Sequence, residues 1–267
     1  MLLIGLPGVG KTTFCDHLKK FLSENETAST LNLGLIHVCF DVLFPLSKQR
    51  DLALAAQNER SDSNFVSDNE KEFKSCRKSV ILMTEQIISS LKKNVTLDKA
   101  NELTRCIQLQ YDLVYEKDNI LIVIDDNNYY QSMRYEYYKL ARLNGIGFNE
   151  IYFKPDSLET AICNNGKRTG NEKIPENVIH NMNAKLQAPN PFQNAWEQFS
   201  FTIKVQSNEQ DKNIYNCEIC LDAIKAALEN PVEPFPDVPL DKTEEAKAAS
   251  RKICSTNVYH LSDKILR

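Results

Sequence analysis

Gly5-Leu6-Pro7-Gly8-Val9-Gly10-Lys11-Thr12 decides the fold of this 267-residue chain. The spacing is G-x-x-x-x-G-K-[ST], that of a phosphate-binding loop. Four apolar residues, Met1 to Ile4, precede it. Thr13 to Leu22 follows, with Phe14, Leu18, Phe21 and Leu22 on one helical face. Strand, loop and helix thus come in the order the motif requires. Gly5, Gly8 and Gly10 let the backbone close round a phosphate where a Cβ would collide. Loop amides and the helix N-terminus then point at the anion. The expected ATP-binding residues are Gly5, Leu6, Pro7, Gly8, Val9, Gly10, Lys11, Thr12 and Thr13. Lys11 would reach the β- and γ-phosphates, and the Thr12 hydroxyl would ligate Mg²⁺.

Further strands lie outward from this loop. Leu35 to Phe40 is an apolar run of strand length ending at Asp41, where a parallel sheet opens onto its ligand crevice. Ile120-Leu121-Ile122-Val123-Ile124 reads as a central strand, apolar on both faces. Asp125 and Asp126 follow it, and a carboxylate there is placed to hold the Mg²⁺ of a phosphate-loop protein. Phe148–Phe153 and Phe199–Val205 read as the remaining strands. Helices are expected at about 70–93, 97–117, 129–143, 155–162 and 175–186. Arg77, within the first of these, is a weak substrate-binding candidate. The polar stretch 45–70 is short of apolar anchors and reads as a mobile excursion. Residues 163–175 form a polar, basic, glycine-bearing segment, where the lid of a phosphoryl-transfer enzyme belongs, with Arg168 as its charge-stabilising residue.

Alternating strands and helices predict an α/β fold over residues 1–206, a P-loop kinase-type parallel β-sheet flanked by helices. Residues 207–267 read as a small helical C-terminal domain, with helices at 217–228 and 243–253. Its last stretch, 241–267, carries six Lys/Arg against four Asp/Glu, weak support for an RNA contact. The formal net charge of −4 argues against a protein that coats nucleic acid indiscriminately, and no DNA partner is expected. No apolar run approaches a membrane span, and the short N-terminal run lacks the basic lead of a signal peptide. A cytoplasmic protein is expected. Eight scattered cysteines then read mostly as buried thiols. Cys217-Glu218-Ile219-Cys220 has C-x-x-C spacing, but a zinc site would want a second pair.

Two strings go beyond a generic phosphate-loop protein. Asp125-Asp126-Asn127-Asn128-Tyr129-Tyr130-Gln131-Ser132-Met133-Arg134-Tyr135-Glu136 follows the central strand. Lys185-Leu186-Gln187-Ala188-Pro189-Asn190-Pro191-Phe192-Gln193-Asn194-Ala195-Trp196-Glu197 precedes the last one. With the loop Asn165-Gly166-Lys167-Arg168, these closely resemble the eukaryotic L-seryl-tRNA(Sec) kinases, over roughly residues 1–206. The resemblance implies transfer of the γ-phosphoryl of ATP, with Mg²⁺, to the serine hydroxyl of seryl-tRNA(Sec), a step of selenocysteine biosynthesis. It implies that Lys11, Asp41 and Arg168 are catalytic, Asp41 orienting or deprotonating the hydroxyl, and that Thr12 and Asp125 hold the metal. It also implies a tRNA-binding C-terminal unit. One departure stands out: Asn164 occupies the position of the first arginine of the R-x-x-x-R lid pattern. The alternatives are a tRNA-dependent ATPase accessory factor of the Kti12 type, which shares the phosphate loop and an R-Y-E-like segment, and a small-molecule kinase, which suits the pI of about 5.7.

Overall fold

The computed structural model describes residues 1–25, 30–45, 68–98, 101–206 and 217–234. The strands are β1 (Leu2–Ile4), β2 (Leu33–Cys39), β3 (Asn119–Asp125), β4 (Glu150–Pro155) and β5 (Ser200–Val205). The helices are α1 (Lys11–Glu24), α2 (Phe40–Leu43), α3 (Asp68–Lys92), α4 (Glu102–Val114), α5 (Gln131–Asn144), α6 (Leu158–Gly166), α7 (Glu176–Lys185) and α8 (Cys217–Glu229). The strands form one sheet in the order β2-β3-β1-β4-β5, every pairing parallel. This is the expected parallel α/β sheet. β1 lies at the centre, so the phosphate loop leaves the sheet between the ends of β3 and β4. A parallel sheet binds its ligands at such a point.

Two apolar layers cover the sheet. Leu2, Ile36, Val38 and Ile124 pack under α3, α4 and α5 with Val80, Met83, Ile87, Ile107 and Tyr111. On the other face Leu3, Val123, Ile151 and Phe153 pack against α1, α6, α7 and α8 through Phe14, Leu18, Ala161, Ile179 and Ile224. Burial on both faces is why the strands read as continuous apolar runs rather than alternating ones.

The structure departs from the sequence reading at three places. Phe40 and Asp41 open a one-turn helix instead of ending a strand: Phe40 and Leu43 turn into the core while Asp41 and Val42 stay exposed. α6 continues through Asn165 to Gly166, so the first third of the expected lid is helical. Third, α8 packs on α1, and Asn149 Nδ2 donates to the Ala223 carbonyl at 2.9 Å. The compact unit containing the sheet therefore runs to Glu233, past the expected boundary at 206; a second unit begins at Pro234. Cys220 is buried in α8 within the apolar layer. Of the excursion expected at 45–70, residues 46–67 lie outside the described residues, as does the helix expected at 243–253, while 68–70 already belong to α3.

Candidate nucleotide and acceptor site

The glycines of the loop take backbone angles closed to other residues. Gly8 has φ +85° and Gly10 φ +89°. A Cβ on Gly8 would stand 2.3 Å from the Ala161 carbonyl oxygen of α6. Gly10 precedes the first turn of α1, whose N-terminal amides face the space enclosed by the loop.

Lys11 is buried, 8% exposed, and its ammonium donates to Gly5 O at 3.0 Å, Leu6 O at 2.9 Å and Asn127 Oδ1 at 3.0 Å. Burial lowers its pKa; Asp125, Asp126 and Asp41 oppose that shift, and the Arg168 charge adds to it. The three carboxylates and the guanidinium thus all lie close enough to act on one ammonium. The ends of β2 and β3 and the segment after α6 converge on the loop.

Thr12 Oγ1 donates to Asp125 Oδ2 at 2.8 Å, and His37 Nε2 lies 3.0 Å from the same oxygen. The Lys19 ammonium, which can only donate, sits 3.4 Å from His37 Nδ1, so the imidazole proton is assigned to Nε2, facing Asp125. Burial alone would raise the Asp125 pKa. The His37 hydrogen bond, the Lys11 charge and the Thr12 hydroxyl outweigh it and hold the group below its ordinary value. A hydroxyl and a carboxylate kept ionised are hard oxygen donors, the set that suits Mg²⁺. Cys15 also lies near, its sulfur, a His37 nitrogen and an Asp125 oxygen all within 4.8 Å. A softer metal would need a thiolate there, and burial pushes the Cys15 thiol far up, so the site favours the harder ion.

The three residues after β3 divide the remaining work. Asp126 accepts from Arg77 Nε at 3.3 Å, and the Arg77 guanidinium lies 5.4 Å from the centre of the Phe40 ring, tying the end of β3 to the start of α2. Asp126 is therefore engaged by Arg77, and Asp125 alone of the two meets Thr12. Asn127 holds Lys11, and its carbonyl accepts from Gly5 N at 3.0 Å. Asn128, with φ +45°, donates to Leu3 O at 2.9 Å. Asp41 sits exposed on the first turn of α2. Arg168 is half-buried, and its Nη1 lies 3.5 Å from Glu172 O. Asn165 closes the segment around it: its side chain donates to Ile174 O at 2.7 Å and accepts from Ile174 N at 3.0 Å.

Sequence reasoning missed His37. The sequence holds four histidines, and the place of this one in β2 carries a signal. Cys39 pairs with Asp125 and His37 with Val123, so His37 shares Asp125's face of the sheet, two residues back from the strand end.

A buried phosphate loop, a threonine–aspartate pair and converging acidic and basic groups define a P-loop nucleotide-binding protein of the phosphotransferase kind. A family profile described as "Chromatin associated protein KTI12" matches residues 1–262. Human L-seryl-tRNA(Sec) kinase is 33% identical over 284 residues, covering 100% of this chain and 75% of its own. The mouse L-seryl-tRNA(Sec) kinase is 38% identical over 148 residues, 55% of this chain and 38% of its own. The crystal structure of Chaetomium thermophilum Kti12 in complex with ADP-AlF3 aligns over 85% of this chain and 97% of that one, at a TM-score of 0.48 and 19% identity. The chain belongs to the KTI12 family, and its curated relatives at 33–38% identity are L-seryl-tRNA(Sec) kinases. No helix among the described residues is long and apolar enough to cross a membrane.

Proposed function

We propose that the protein is a cytoplasmic ATP-dependent kinase that phosphorylates the serine hydroxyl of seryl-tRNA(Sec), giving the O-phosphoseryl-tRNA from which selenocysteine is made. One observation supports it above the others: a kinase of this name aligns with the whole chain at 33% identity. The site supplies what phosphoryl transfer needs, which is positioning and charge neutralisation rather than covalent chemistry.

In this reading Gly5 to Thr13 wraps the phosphates, and Lys11 leaves its loop carbonyls for the β- and γ-phosphate oxygens. Thr12 and Asp125 would hold Mg²⁺, which neutralises phosphate charge when bound. Asp41, exposed at the crevice edge, orients the serine hydroxyl and accepts its proton. Arg168 faces the transferring group and takes up charge alone, since Asn164 stands where a second arginine is expected. Residues 207–267 hold the RNA, although the described helix within them, α8, also packs on the sheet.

The competing reading is an ATPase accessory factor that transfers nothing, and the KTI12 family match favours it. Incubation with γ-labelled ATP and either seryl-tRNA(Sec) or seryl-tRNA(Ser) separates the two. Label on the seryl group of the first substrate only is the expected result. RNA-stimulated hydrolysis without transfer of label would establish the accessory ATPase instead.

A further inference from the structure

Phe192 stands at the tip of the loop Pro189–Asn194, and its side chain is 102% exposed. The backbone beneath it is firmly held. The Asn190 side-chain oxygen accepts from Phe192 N at 3.2 Å and from Gln193 N at 3.3 Å, and the Asn190 carbonyl accepts from Asn194 N at 2.9 Å. Glu197 Oε2 accepts from Asn190 N at 2.8 Å and from Asn194 Nδ2 at 2.9 Å. Pro189 and Pro191 restrict the chain on either side of Asn190. The loop thus holds one aromatic ring in water at little further cost in conformational entropy on binding.

Its position ties it to the reaction centre. Gln187 N donates to Tyr129 O at 2.8 Å, two residues from Asn127, which accepts from Lys11. Pro191 and Gln193 flank it in the chain, and no other large apolar side chain of residues 185–197 is among the exposed ones. A protein partner would call for a contiguous apolar patch. A single ring on a rigid loop, outside any apolar patch, suits an unpaired nucleobase, which offers a π-face to stack.

We propose that Phe192 is a stacking platform for an unpaired base near the aminoacylated end of the RNA acceptor. This rests on the seryl-tRNA reading, because the amino acid of such an RNA sits on a single-stranded end. The loop would fix that end while the hydroxyl reaches Asp41.

The test uses the full chain, with seryl-tRNA(Sec) as probe and both direct binding and steady-state transfer as readouts. Phe192→Ala is expected to weaken RNA binding and raise the KM for RNA about tenfold, as expected for loss of one stacked base. The KM for ATP and kcat at saturating RNA stay unchanged. Phe192→Trp restores binding, and its added indole emission is quenched by RNA. Wild-type RNA affinity in Phe192→Ala overturns the proposal, as does a loss confined to kcat. Loss of self-association with RNA affinity intact would mark a protein interface and overturn it equally. If the wild-type chain transfers no label but Phe192→Ala still weakens RNA binding tenfold, the kinase reading falls and the stacking site stands.

Discussion

Arg134 Nε donates to Glu197 Oε1 at 3.1 Å, with both side chains no more than 1% exposed. This pair joins the two sequence strings that set the chain apart, since Arg134 lies in α5 and Glu197 follows the Pro-Asn-Pro loop. Arg134 Nη1 also donates to Gln187 O at 2.8 Å and to Asn128 O at 3.3 Å, and Gln131 Nε2 donates to Asn194 Oδ1 at 2.9 Å. One guanidinium therefore connects the strand-end loop that holds Lys11 with the loop that carries Phe192.

Removing one partner leaves a buried charge uncompensated, at a cost of about 3–5 kcal/mol. Arg134→Ala should lower the thermal midpoint by roughly 10 °C, taking about 2–4 °C per kcal/mol for a chain of this size. Calorimetry checks this. A midpoint within about 2 °C of wild type would mean that water reaches Glu197 and that the pair is not truly buried.

A second carboxylate shares that guanidinium. Glu150 Oε1 lies 3.5 Å from Arg134 Nε and accepts no hydrogen bond, while Oε2 accepts from Ser200 Oγ at 2.6 Å. Burial pushes the Glu150 pKa up to about 7; Ser200 and Arg134 oppose the rise, and Glu197 adds to it. The folded state thus keeps a proton that the unfolded chain releases near its ordinary value of 4.5. By linkage this group makes stability fall as pH rises from about 4.5 to about 7, with no further change above that. Glu150→Gln should remove the slope, so that the variant gains on wild type across this window. Urea unfolding of both proteins at several pH values measures it, and parallel curves would show that Glu150 is ionised throughout.

The sheet and the phosphate loop were legible because each follows from local pattern: strands buried on both faces read as apolar runs, and the loop depends on glycines at fixed spacing. The structure brings Asp125 to the loop through Thr12, whereas in the sequence its neighbour looks equally suitable. Contacts remote in sequence separate the two: Arg77 engages Asp126 across 49 positions, and Thr12 engages Asp125 across 113. His37 was hidden for the same reason, since its partner lies 88 residues away. The helical start of the expected lid was missed because Cys163-Asn164-Asn165-Gly166 has a loop's composition. Tertiary bonds from Asn165 to Ile174 make that composition helical.

His37 does not touch the space enclosed by the loop, yet it orients the carboxylate that does. Outer partners of a metal ligand are worth about 10- to 100-fold in metal affinity. His37→Ala should therefore raise the Mg²⁺ concentration for half-maximal transfer about tenfold while leaving kcat at saturating Mg²⁺ near wild type. Asp125→Asn should lose transfer at every Mg²⁺ concentration. Titrating activity against Mg²⁺ distinguishes them. A wild-type Mg²⁺ response in His37→Ala would reduce the histidine to a core residue.

Lys11, Asp41 and Arg168 should separate kinetically. Lys11→Ala is expected to lose transfer by at least about 10²-fold, the scale for removing one charge-stabilising donor. Asp41→Asn should also nearly abolish transfer, with ATP affinity retained. Arg168→Ala should lower kcat by roughly 10³-fold, more than it weakens ATP binding, since a charge-stabilising arginine acts in the transition state. Asp41→Asn retaining most of its activity would remove it as the base, and unchanged kcat in Arg168→Ala would remove the arginine from the chemistry.

Gly8 couples the phosphate loop to α6 by direct backbone contact. A Cβ there would meet the Ala161 carbonyl oxygen at 2.3 Å and Asn165 N at 3.1 Å, both main-chain atoms of a packed helix that cannot swing aside. The φ of +85° adds strain for any L side chain. Gly166, at the end of the same helix, has nothing within 4 Å of the point where a Cβ would stand. Gly8→Ala should cost about 2–4 kcal/mol and weaken ATP binding, because α6 must shift away from the loop. Gly166→Ala should be neutral or stabilising by up to about 1 kcal/mol, through the lower entropy of the unfolded chain. Paired denaturation and nucleotide titration of the two variants measure the difference. Equal behaviour would mean that α6 can retreat from the loop freely, so that the segment bearing Arg168 is not held in place by Gly8.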